Sequence, residues 1–141
     1  MTVPKLTALT RLYPVGYGLV VLVWLSLEGS STLPPALLGI GLAVILFGWI
    51  IMRRHSGERL SERLVRRYVL MGGFSMGAGG AILSALLMFF KSSWHGHIVP
   101  DYPFGMITAM LWRAPLWGIA GLLLAVGVLL LQSNPQSVTG N

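Results

Sequence analysis

Long apolar runs separated by short polar junctions dominate the chain. No charged residue lies between Arg11 and Glu28, from Gly29 to Met52, from Tyr68 to Phe90, or from Ala114 to the C-terminus. A helix needs roughly 20 apolar residues to cross the hydrocarbon core, or about 17 when its flanks snorkel. Each run can supply one crossing, and the pattern predicts spans over 12–28, 34–53, 68–90 and 114–131. Barrel strands are excluded by the length and continuity of the runs, because backbone in lipid has to satisfy its own hydrogen bonds. The expected fold is all-α and integral to a membrane. It is a four-transmembrane-helix bundle, one domain over residues 1–141, with a short interfacial helix on the outer face.

Local signals mark the ends of these elements. Pro14 falls in the first turn of the first span, where a missing N–H costs little, and Pro34-Pro35 suits the start of the second. Ser56 is a candidate N-cap in the short link His55-Ser56-Gly57. From Glu58 onward Leu60, Leu64 and Tyr68 step by four, which predicts a basic helical extension over 58–67 leading into the third span. The connection over 92–112 is the longest, with Asp101-Tyr102-Pro103 opening a short helix. One helix from Pro103 to Leu131 would run about 43 Å, beyond the roughly 30 Å hydrocarbon core. It would also contain Arg113 and Pro115. The pattern therefore predicts a break at Arg113-Ala114-Pro115, with the preceding helix flat in the interface and Phe104, Ile107, Leu111 and Trp112 toward lipid.

Of 141 residues, 55% are hydrophobic and 10% charged, so four spans leave no room for a soluble domain. The formal charge of +6 reads as topology and not as nucleic-acid binding, because the basic residues flank the spans. Lys5 and Arg11 precede the first span, and Arg53, Arg54, Arg59, Arg63, Arg66 and Arg67 fall between the second and third. Lys91 and Arg113 lie on the other side with Glu28 and Asp101. The positive-inside rule then puts both termini in the cytoplasm of a bacterial inner membrane, with the chain multi-pass. A signal peptide is the competing reading of the first span. Its best cleavage site, Gly29-Ser30-Ser31, is poorly developed, and a retained helix is expected. With no cysteine, disulfides, thiolate metal sites and c-type haem attachment are excluded.

Small residues line one ridge of the third span at Gly73, Gly77, Ala81 and Ala85, with counterparts at Gly118 and Gly121 in the fourth. Such spacing lets backbones approach closely, which is what associates helices in lipid. Packing within the bundle is the first reading and docking onto another subunit the second. Arg59, Arg63 and Arg67 recur at four-residue steps beside Arg66, and like charges so placed repel unless anions intervene. Anionic lipid headgroups are the expected contact, and an acidic partner surface is the alternative. Trp94-His95-Gly96-His97 and Asp101 form the one cluster of ligand-type side chains. His95, His97 and Asp101 are metal candidates, and His95 and His97 are cofactor candidates. Solvated interfacial histidines within an aromatic belt are the expected reading, with no bound cofactor. No histidine pair can sandwich a haem at mid-membrane.

No charged residue or histidine lies at mid-depth in the four spans, where pumps, carriers and voltage sensors place them. No catalytic constellation is recognisable, and the chain is read as not an enzyme. The function expected is a non-catalytic accessory or structural subunit of a larger bacterial membrane complex, respiratory or photosynthetic. Its partners would be the bilayer, including anionic lipids, and other membrane subunits or further copies of itself. A small oligomeric solute carrier or channel is one alternative. A metal, quinone or pigment site on the outer face is another.

Overall fold

The computed structural model describes residues 8–27, 29–94 and 100–133. Regular structure among them is helical throughout: α1 (Ala8–Ser26), α2 (Leu33–Arg54), α3 (Glu62–Trp94), α4 (Phe104–Trp112) and α5 (Ala114–Ser133). Three helices are long and apolar enough to cross a membrane, namely Leu33–Arg54, Glu62–Trp94 and the continuous stretch Phe104–Gln132. The architecture is that of a helical membrane protein. The apolar part of α1, Leu12–Ser26, falls below that length.

The centre of the bundle is α3, with α2 and α5 packed along different faces of it, and α1 touching α2 lightly. Glycine makes both α3 seams close. At one seam a Cβ on Gly77 would strike the Trp117 carbonyl oxygen, and one on Gly121 would strike the Gly73 carbonyl oxygen. At the other seam, a Cβ on Gly39 would strike the Ser84 hydroxyl, and Gly72 admits the ring of Phe47. Ser84 is fully buried there, donating to the Gly80 carbonyl at 2.6 Å. Two helices held this close gain dispersion contacts over their whole length, the main attraction available between helices in lipid. The weaker α1 seam rests on Tyr17, which fits beside Gly41 and donates to the Leu38 carbonyl at 2.7 Å.

Three boundaries differ from the sequence pattern. Helix α1 is already formed at Ala8, the first described residue, so Pro14 is inside the helix and not in its first turn. Helix α3 begins at Glu62 and not at Glu58. The link instead closes a turn, with the Glu58 N–H on the His55 carbonyl at 3.1 Å and Gly57 at φ +79°. That φ at the third position of a turn is a glycine conformation. Ser56 lies in this turn, well before the start of α3, Arg59 is outside the helix, and the three-arginine face reduces to Arg63 and Arg67 with Arg66 beside them.

The third difference is at Arg113. The helix is nearly continuous there: the Arg113 N–H bonds the Met110 carbonyl at 3.2 Å, and the Trp117 N–H bonds the Arg113 carbonyl at 2.9 Å. Pro115 removes one ladder bond without turning the chain away. Consequently α4 packs on α3. Ile107 and Met110 are buried in a cluster with Ala85, Leu87 and Met88, so Ile107 does not face lipid as a flat interfacial helix would have it.

Candidate functional site

A groove of about 830 Å³ has α3 at its floor and α2 and α5 as its walls. Its walls are apolar: Ile40, Phe47, Ile51 and Met52 from α2, Val69 and Met76 from α3, Trp117, Leu124 and Val128 from α5. Gly72, Gly73 and Gly77 form the floor, so the residues that bring α3 close to its neighbours also leave the space above it open. Its volume falls in the range of small-molecule sites, roughly 300–1,000 Å³, and its lining is far more apolar than most.

Leu60, Val65 and Tyr68 line the end of the groove beside the α2–α3 link. There His55 Nδ1 lies 2.8 Å from Glu58 Oε2, and Nε2 lies 2.6 Å from the Tyr68 hydroxyl. A carboxylate only accepts, so Nδ1 carries a proton, and in the neutral ring Nε2 then accepts from the Tyr68 hydroxyl. The rings of His55 and Tyr68 also meet edge to face at 5.4 Å. This network fixes the end of α2 against the first turns of α3. The sequence reading passed over it because His55 and Tyr68 are thirteen residues apart and join only through the turn.

The six arginines of this end, Arg53, Arg54, Arg59, Arg63, Arg66 and Arg67, are all exposed. Among the described residues none of them forms an ion pair with a carboxylate. Four are chain neighbours of groove-lining residues: Arg53 follows Met52, Arg59 precedes Leu60, Arg66 follows Val65 and Arg67 precedes Tyr68.

At the opposite end Lys91 is buried at 1% exposure. Its ammonium donates to the Gly29 carbonyl at 3.2 Å and lies 4.7 Å from the Trp24 ring centroid. Tyr102, also 1% exposed, donates its hydroxyl to the Ser31 carbonyl at 2.7 Å. The Ser92 hydroxyl accepts from the Tyr102 N–H at 3.0 Å and donates to its carbonyl at 3.2 Å. Burial first, and the negative charge of Asp101 second, hold the Tyr102 hydroxyl above the ordinary tyrosine pKa. This cluster ties α1, the α1–α2 link, the end of α3 and the approach to α4 together.

The residues singled out from sequence therefore separate into three places. Gly73, Gly77, Gly118 and Gly121 meet at the α3–α5 seam, with Gly118 against the Phe74 ring. Ala81 and Ala85 are buried farther along α3. Arg59, Arg63, Arg66 and Arg67 lie at the groove end. His95 and His97 lie outside the described residues, and so does Glu28. Among the described residues no group of three metal-ligating side chains converges, and Asp101 joins none. Comparison of the chain with protein-family models, curated proteins and solved structures finds no match.

Proposed function

We propose that this chain is a non-catalytic subunit of a larger assembly in a bacterial cytoplasmic membrane, of the respiratory or photosynthetic kind. In this reading α1 is a fourth crossing, α4 and α5 together make one, and both termini are cytoplasmic. The observation that carries the proposal is the state of α1. Leu12, Val15, Leu19, Val20, Leu22 and Val23 are each more than half exposed, so apolar side chains cover most of its circumference. A helix apolar nearly all round belongs in lipid or within a larger helical assembly. Gly16 and Gly18 have open space where a Cβ would be, which leaves room for another backbone to approach. The arginine-rich α2–α3 link supports the orientation, since basic residues concentrate in cytoplasmic loops.

Photo-crosslinking from α1 tests the proposal. A photoreactive amino acid at Val15 or Val23, activated in native membranes, should yield a discrete adduct with a second polypeptide in near-stoichiometric amount. Adducts with lipid alone, together with a monodisperse monomer after mild detergent extraction, would remove the assembly reading. Adducts with a second copy alone would replace it with a homo-oligomer.

A further inference from the structure

The groove between α2 and α5 opens at the end of the bundle where six exposed arginines sit without a carboxylate partner among the described residues. From Ile40 to Met52 it follows α2 for about 18 Å, a length set by the helical rise of 1.5 Å per residue. Its walls offer almost no polar atom until Tyr68, whose hydroxyl is already engaged by His55. Of the two carboxylates at this end, Glu58 is turned to His55, and Glu62 forms no ion pair with an arginine among the described residues. Arg63 and Arg67 stand one helical turn apart, with Arg66 beside them, and such like charges repel unless an anion lies between them. A ligand that satisfies both halves has a long apolar tail and an anionic head at one end.

We propose that the groove is a binding site for an anionic diacyl phospholipid, with an acyl chain along α3 and the phosphate headgroup among Arg53, Arg59, Arg66 and Arg67. The chain lies over the groove floor at Gly73 and Gly77, beside the Phe47 ring that already covers Gly72. The headgroup supplies the counter-charge that the arginines lack, at about 1 kcal/mol for each basic residue near an anionic surface, or roughly fivefold in occupancy. A transmembrane helix from a partner would fill the apolar part but would leave the arginines without an anion. The proposal rests on the chain being a membrane protein and is independent of its membership of an assembly.

The test uses the purified full chain in phosphatidylcholine vesicles that contain no other protein, so its outcome is separate from that of the α1 crosslinking. A trace of phosphatidylglycerol carrying a photoreactive group in one acyl chain is added, and adduct positions are mapped by mass spectrometry. Phosphatidylglycerol should label the groove residues Phe47, Ala120 and Leu124 about tenfold more than phosphatidylcholine with the same labelled chain, a ratio worth about 1.4 kcal/mol. At Leu19, which is exposed on α1, the two lipids should label equally. Arg59→Gln with Arg66→Gln should abolish most of the preference while four arginines remain to hold the topology. Gly48→Phe should reduce groove labelling without unfolding the protein, because Gly48 lines the groove and a Cβ there meets nothing within 4 Å. Equal labelling of the groove by the two lipids would overturn the proposal in favour of ordinary surrounding lipid. Protection of the groove from both lipids, with crosslinks between copies, would overturn it in favour of a helix.

Discussion

The Lys91 ammonium lies 4.7 Å from the centre of the Trp24 ring and donates to the Gly29 carbonyl, so one buried cation joins α1, the α1–α2 link and α3. The two partners are unequal. Removing the ring leaves a buried charge with a single carbonyl, whereas removing the charge also removes its desolvation cost. Trp24→Leu should therefore destabilise the protein by about 3 kcal/mol, and Lys91→Met by about 1 kcal/mol or less. Denaturation of both variants in detergent gives the comparison. Equal losses would mean that the ring contributes packing area only.

The glycine seam between α3 and α5 predicts a sharp positional contrast. Gly77→Leu places a branched side chain where the Trp117 carbonyl stands and should cost about 1–3 kcal/mol, with separation of the two helices. Gly48→Leu, on the wall of the groove, meets open space and should be neutral or slightly stabilising through helix propensity, by up to about 1 kcal/mol. Ser75→Leu, at an exposed position of α3, should be as mild. Thermal unfolding in one detergent ranks the three, and a harmless Gly77→Leu would show that α3 and α5 are not in contact at that level.

Much of this architecture is legible in the sequence. The apolar runs mark α2, α3 and α5 because a lipid-facing helix has to be apolar along its whole length. The start of α3 was obscured because Leu60, outside the helix, keeps four-residue spacing with Leu64 and Tyr68 inside it. Glu58 is instead drawn to His55, and the Val65 N–H closes the first turn on the Ser61 carbonyl. Arg113 and Pro115 read as a break because each is unfavourable in an apolar helix. Here a proline near the beginning of α5 costs one bond, and α3 supplies the packing that keeps α4 in line. The groove left no signal at all, since it arises from the divergence of α2 and α5 over α3. Lys91 was equally hidden: nothing in its flanking residues says that Trp24 lies above it.

Tyr102 gives the cluster around Lys91 a pH signature. Its pKa is raised by burial and by Asp101, so the protonated form is favoured in the folded state. A raised pKa contributes stability that is present below the ordinary tyrosine value and is lost as pH rises through the native one. Above about pH 10 the wild type should lose stability more steeply than Tyr102→Phe, which has nothing to titrate there. At neutral pH the same variant should cost about 1 kcal/mol for the lost bond to Ser31. Parallel alkaline curves would remove Tyr102 as the titrating group.

At the α2–α3 link, Tyr68→Phe removes the hydroxyl bonded to His55 Nε2 and leaves the His55–Glu58 contact in place. The expected cost is about 1 kcal/mol, with faster amide exchange confined to the α2–α3 turn. Exchange that accelerates equally along α5 would mean that the network stabilises the whole bundle.

The most direct test is the sidedness of single cysteines, which this cysteine-free chain allows without background. Cysteines at Thr2, Ser30, Gly57, Ser93 and Ser133 are exposed in intact cells to a thiol reagent that cannot cross the membrane. The account predicts labelling at Ser30 and Ser93, with Thr2, Gly57 and Ser133 labelled only after permeabilisation. Labelling of Thr2 together with Ser30 would show that α1 does not cross, and labelling of Gly57 in intact cells would place the arginine junction, and the lipid site built on it, on the wrong side of the membrane.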